Sequence, residues 1–188
     1  ELDDASQLLQ ALNLLVVTTP QRRLLLEAGL LASGERRSDE SIDALSARDA
    51  LIASAVDPDA LELLIPSHLH RDHAGGLLDA EGGAAFPRAT IVAPQREIDA
   101  VASSSLRARA AYDTQGLRAL FAAREPRAFE RTSSPDPNIE LHLLGGHTPG
   151  SQATLVRGRE RTLLFLGDLF MRPWQSNPRW VTAYDDEA

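Results

Sequence analysis

Two short apolar runs open the chain, Leu14–Thr18 and Leu24–Glu27, with Pro20 and Gln21 between them and Gly29 after them. Runs of that length around turn residues predict a pair of short strands. Residues 32–41 are polar and read as a loop. From about Ile42 to Val56 the apolar positions Ile42, Leu45, Leu51, Ile52 and Ala55 fall roughly on one face, which predicts a helix. The run ALELLIP (60–66) predicts a strand that ends directly before a histidine-rich loop, and ATIVAP (89–94) a strand followed by a helix in QREIDAVASS (95–104). Residues 103–125 are rich in Ala and Arg and read as helix or loop. Further on, NIELHLLGG (138–146), QATLVRG (152–158) and RTLLFLGD (161–168) read as three strands, and the last twenty residues as irregular. Strands alternate with helices in the first half and cluster without them in the second. One α/β domain over residues 1–188 is the economical reading.

Composition narrows the partners. The 188 residues are 43% hydrophobic and 24% charged, as in an ordinary globular protein. Nineteen Lys and Arg against 27 Asp and Glu leave a net charge of −8, which repels phosphate backbones and weighs against nucleic acid as a partner. No apolar run reaches the roughly 20 residues of a membrane span. The opening stretch ELDDASQLLQALN is acidic and lacks the apolar centre of a secretory signal, so a cytoplasmic location is expected. The chain has no cysteine, which excludes disulfides and thiolate metal sites. Every strong base is arginine, so a Schiff-base lysine is excluded as well.

The chemistry concentrates in IPSHLHRDHAGGL (65–77). Three of the five histidines, His68, His70 and His73, stand with Asp72 inside six residues. His68 and His70 lie two apart, so in an extended segment both point the same way. Four ligand-type side chains in one short loop are too many for one tetrahedral ion, and two adjacent ions fit them better. Gly75 and Gly76 then let the chain turn closely beside the site. A fourth histidine, His147, sits in the turn GGHTPGS, and Asp168 follows a very apolar strand in LLFLGD. Gly167, just before it, reads as making room for close approach, and Thr148, Pro149 and Gly150 as shaping the His147 turn. His142 alternates with Leu141 and Leu143 and reads as an exposed strand position.

SHLHRDHAGG, GGHTPGS and LFLGD resemble, in order and interval, the three successive signatures of the metallo-β-lactamase superfamily. LLVVTTPQRRLLLEAG resembles the family's early hairpin, although Glu27-Ala28-Gly29 stands where Asp-Thr-Gly is more usual. PRWVTAYDDEA resembles a segment of lactonase-like and arylesterase-like members. The resemblance implies an αββα sandwich with two divalent metal ions: zinc by default for imidazole-rich sites without thiolate, with iron or manganese as chemical alternatives. It implies that His68, His70 and His147 bind the first metal and Asp72 and His73 the second, with Asp168 bridging. A metal-bound hydroxide would then attack a carbonyl or phosphoryl centre, and Asp72 would also orient that nucleophile or shuttle its proton.

The implied activity is hydrolysis of a small ester or lactone, with phosphotriesters as a related substrate. A glyoxalase II-like thioesterase is the alternative enzyme on this scaffold. The resemblance also marks a departure: family members carry a further histidine on the second metal, and here no histidine follows His147. The expectation is therefore a fold lacking its C-terminal part, with an inactive fragment as the non-catalytic alternative. Apolar sheet surface left exposed would favour association, such as a homodimer. Asp185, Asp186 and Glu187 read as a solvated end. Phe170, Met171, Trp174 and Trp180 are candidates for an apolar pocket wall, and Tyr112 and Tyr184 for hydrogen bonds to a substrate oxygen.

Overall fold

The computed structural model describes residues 11–31, 45–103, 110–171 and 177. The first half builds a five-stranded sheet in the order β1 (Leu15–Thr18), β2 (Arg23–Leu26), β3 (Leu63–Leu64), β4 (Thr90–Pro94), β5 (Arg127–Phe129). β1 and β2 are the antiparallel pair expected from the opening runs, in register Leu15↔Leu26. Strands β2 to β5 run parallel. The second half folds into an antiparallel sheet in simple order: β6 (Thr132–Asp136), β7 (Ile139–Leu143), β8 (Gln152–Arg157), β9 (Thr162–Phe165).

Alternation along the strands explains the layering. Leu24, Leu26, Leu63, Ile65 and Val92 leave one face of the first sheet and pack with Ile139 and Leu141 of the second, forming an inter-sheet core. Leu25, Leu64 and Ile91 leave the other face and meet helices. Central strands buried on both faces read as near-continuous apolar runs, as LLL and LLI do here. Helices among the described residues include α1 (Ala47–Ala53), α2 (Arg71–Ala74), α3 (Gln95–Val101) and α4 (Thr114–Ala123). Among the described residues the layers are helix, sheet, sheet, which are three of the four in the expected sandwich. No helix of these residues is long and apolar enough to cross a membrane.

Several local expectations shift. Helix α1 starts at Ala47, where the Ser46 side chain accepts from the Asp49 amide, and it buries Ala47 and Leu51. Leu45 and Ile52, expected on its inner face, are instead exposed. The part of that expected helix before residue 45 lies outside the described residues. β5 and β6 have no counterpart in the apolar pattern. Both are edge strands, so neither needs a continuous apolar run, and β6 tolerates Pro135 where its register shifts between Ser133 and Asp136. Gly76 is required by space: a Cβ there would lie 2.0 Å from the Ala28 carbonyl oxygen.

Candidate metal centre

β3 feeds directly into the histidine loop. Beyond Leu64 the chain stays buried through Ser67, His68 and Leu69, and then turns once as α2. His68 and His70 leave the extended part and Asp72 and His73 the helical turn. His147 arrives from the β7–β8 connection and Asp168 from the 3-10 turn Gly167–Phe170 after β9. The two sheets thus deliver their ligand-type residues to one place. Backbone contacts fix the meeting: the Gln152 amide donates to the Ser67 carbonyl at 2.9 Å, and Gln152 Nε2 to the Pro66 carbonyl at 2.6 Å.

Four imidazoles crowd together. The His68 ring centroid is 4.6 Å from that of His70, 4.0 Å from His73 and 4.7 Å from His147. His147 Nε2 and His70 Nδ1 face each other at 3.2 Å. Two groups of potential ligand atoms have all their members within 4.8 Å of one another: His68, His70, His147, and His68, His73, Asp168. Asp168 reaches toward both groups, with Oδ1 3.3 Å from His73 Nε2 and Oδ2 3.5 Å from His147 Nε2.

The outer ring nitrogens are held from behind. Ser67 Oγ lies 3.0 Å from His68 Nδ1, and Glu27 Oε2 lies 3.2 Å from His73 Nδ1. Both Nε2 atoms are buried: that of His68 makes no hydrogen bond among the described residues, and that of His73 has Asp168 Oδ1 at 3.3 Å as an ion-pair partner. Buried polar atoms are normally satisfied, so an orphaned His68 nitrogen inside a cluster of imidazoles and a carboxylate fits a divalent metal site. An all-imidazole and carboxylate donor set suits zinc, and equally iron or manganese.

Electrostatics treat the two rings differently. Burial, reinforced by the neighbouring His73, His70 and His147, holds the His68 pKa well below the usual histidine value and keeps the ring neutral, the form that binds metal. Burial acts the same way on His73, but the Asp168 and Glu27 carboxylates outweigh it and hold that pKa well above the usual value. Burial raises the Asp168 pKa, and the facing His73, with His147 and His70, more than reverses the effect.

Of the six residues expected in the site, the structure brings five into the two groups. Asp72 is the sixth: it is half-exposed at the rim, with Oδ2 3.6 Å from His73 Nε2. His142 lies on the far side of the second sheet beside Glu140, as an exposed strand position should. Tyr112 is not available to a substrate, because it is buried and its hydroxyl donates to Glu97. Phe170 and Met171 are exposed next to Asp168. Trp174, Trp180, Tyr184, Asp185, Asp186 and Glu187 lie outside the described residues.

Two buried acids escaped the sequence reading as site residues. From the sequence Glu27 reads as a strand end and as a departure from the Asp more usual in the related hairpin. It adopts a left-handed backbone (φ 67°), which costs a non-glycine residue about 1 kcal/mol or more, and it accepts from the Ser67 amide besides holding His73. The signal for it was its place where the related hairpin more often carries Asp. Glu97 lies on the inward face of α3, one turn before Val101, where an acid is out of pattern.

The sequence profile of the metallo-beta-lactamase superfamily matches residues 9–180. The chain belongs to this superfamily. Solved structures agree. A probable metal-dependent hydrolase from Staphylococcus aureus superposes with a TM-score of 0.78 at 27% identity, over 92% of this chain and 63% of that one. AidC, a dizinc quorum-quenching lactonase, superposes with 0.67 at 20% identity, over 93% and 62%. The hydrolase AbOPH of the beta-lactamase superfamily gives 0.72 at 19%, over 93% and 62%. The chain therefore spans somewhat under two thirds of the length of these metallo-beta-lactamase-fold proteins. No curated protein matches it in sequence.

Proposed function

We infer that the protein is a metal-dependent hydrolase of small, neutral or apolar esters or lactones. The observation that carries this reading is the orphaned, buried Nε2 atom of His68, inside two donor groups that Asp168 faces with both oxygens. In this reading His68, His70 and His147 would hold one ion and His73 and Asp72 a second, with Asp168 facing both groups. Bound divalent metal supplies Lewis acidity and an activated water. The protein supplies the rest. Ser67 and Glu27 fix the ring orientations, and the buried loops keep His68 and His73 from bulk water. Asp72, at the exposed rim, takes a proton from the attacking water on Oδ2 and returns it to the leaving oxygen as the acyl C–O bond breaks.

The exposed Phe170 and Met171 beside Asp168, with the −8 charge, favour an uncharged substrate with an apolar portion. Similarity to a quorum-quenching lactonase and to hydrolases supports the same class.

The test is metal content by elemental mass spectrometry. Turnover is then measured on N-acyl homoserine lactones, aryl esters, paraoxon and a glutathione thioester. About two metals per chain and turnover of lactones or aryl esters is the expected result. Preference for the thioester would move the assignment to a glyoxalase II-like activity. Full metal loading with no turnover of any of the four would end the hydrolase reading.

A further inference from the structure

Glu97 is fully buried, and both of its carboxylate oxygens are occupied. Oε1 accepts from the Leu69 amide at 2.8 Å and from the Tyr112 hydroxyl at 3.0 Å. Oε2 accepts from the Thr148 hydroxyl at 2.7 Å and from the Gly150 amide at 3.0 Å. The division is informative. Leu69 lies between His68 and His70, and the Tyr112 ring packs edge-on against His70 at 4.7 Å. Thr148 and Gly150 belong to the turn that carries His147. One oxygen therefore serves the first histidine loop and the other serves the second.

The second loop is also seated directly on the base of this side chain. A Cβ on Gly150 would lie 2.3 Å from Glu97 Cβ and 2.4 Å from its backbone nitrogen. Only glycine permits that approach, so the residue after Pro149 is set by contact with α3 as much as by the turn.

We propose that Glu97 is the positioning residue that ties the two histidine loops together and sets the separation of His70 from His147. The role rests on the metal-site reading above, because the distance it fixes matters for a shared ion. Chemistry explains why the residue is an acid. Four donors converge on it, two of them backbone amides. A glutamine in the same place accepts on one oxygen only and turns its NH2 group toward at least one of those amides. Burial of a carboxylate is costly unless it is fully hydrogen-bonded, and here every acceptor position is used. An acid held at that cost fits a group whose work is to gather donors from separate segments. Outer hydrogen-bond partners of metal ligands typically change metal affinity 10- to 100-fold when removed.

The test compares the parent with Glu97→Gln in three measurements. Zn2+ affinity is measured by chelator competition, the visible spectrum is recorded with Co2+, and amide exchange is followed on the metal-free protein. The expected result is roughly 10- to 100-fold weaker Zn2+ binding, an altered Co2+ spectrum, and faster exchange at both 67–73 and 145–151 with the strands protected as before. Parent-like affinity and spectrum in a folded variant would overturn the proposal. So would faster exchange spread over the whole chain, or confined to one loop, since either describes an ordinary structural residue. If the parent itself takes up no metal, the hydrolase reading falls, and the exchange pattern alone decides whether Glu97 joins the loops. Should Glu97→Gln fail to fold, Thr148→Val and Tyr112→Phe each remove one donor. They should give several-fold weaker binding and local exchange at the loop concerned, and no change in either would count against the role.

Discussion

The protein pairs histidine with carboxylate in two places, and the pairs behave differently. In the loop cluster His73 lies between Glu27 at 3.2 Å and Asp168 at 3.3 Å, nearly closed off from water. On the outer face of the second sheet His142 lies 3.6 Å from Glu140, with 44% of its side chain exposed. Glu140 also holds Arg157, at 2.9 Å through its other oxygen. Burial separates the two cases. Water screens an exposed pair, which then contributes little. The buried cluster strips imidazoles of solvent, pairs His73 with two carboxylates and leaves His68 Nε2 without a hydrogen bond, an arrangement that costs free energy unless a ligand completes it. The same residue types thus describe a surface in one region and a reactive centre in the other.

The largest effect should come from removing the atom common to both donor groups. His68→Ala takes one member from each group at once. The first metal should be lost and the second held more weakly, and turnover should fall by several orders of magnitude, measured by elemental mass spectrometry and initial rates. Unchanged metal content would mean that the cluster is only a packed core of imidazoles.

Gly167→Ala should rank next. Gly167 has φ +53°, and a Cβ there would lie 2.1 Å from Ser67 Oγ, the atom that holds His68 Nδ1. The substitution adds left-handed strain of about 1 kcal/mol. It also displaces either Ser67 or the Asp168 turn. Thermal unfolding should report a loss of about 2–3 kcal/mol, and zinc affinity should fall with it. Full retention of both would show that the 3-10 turn relaxes without disturbing the centre.

A smaller effect separates the buried acid of α3 from exposed acids. Burial raises the Glu97 pKa above 4.5, and the bonds from Leu69, Thr148, Tyr112 and Gly150 offset this only in part. A carboxyl whose folded pKa is raised contributes stability that is fully present below its unfolded value, about 4.5, and is lost as pH rises through the folded value. The stability advantage of the parent over Glu97→Gln should therefore be larger at pH 4.5 than at pH 7, measured by denaturant unfolding of the metal-free proteins. An advantage that grows with pH over that range would reverse the sign and count against burial as the dominant influence.

The contrast between the two regions also explains what the sequence could disclose. The ligand loops were legible because function compresses them: three histidines and an aspartate in six residues, then His147 and Asp168 each at a strand end. The buried parallel strands were legible because burial on both faces demands apolar runs. The edge strands β5 and β6 were not, because an edge strand needs no such run. The inner face of α1 was misplaced because seven residues give too few turns to fix a face, and Ala47 rather than Ile52 fits under the sheet. Glu27 and Glu97 escaped as site residues for a different reason. A single acid in a strand end or a short helix looks like surface until the fold shows which donors converge on it. Tyr112 was misread in the same way, since an aromatic hydroxyl is equally suited to a substrate or to a buried carboxylate.

The smallest effect is the sharpest control on the comparison. His142→Ala removes one of the five histidines, so a count of histidines alone would expect it to matter. Its ring faces solvent on β7, and its neighbour Glu140 keeps the Arg157 contact without it. Stability should stay within about 0.5 kcal/mol of the parent, as for an ordinary surface substitution. Metal content and turnover should not change, because the second sheet stands between His142 and the cluster. A metal lost from this variant would place a ligand on the outer face of the sheet. Burial would then not separate the two kinds of imidazole–carboxylate pair.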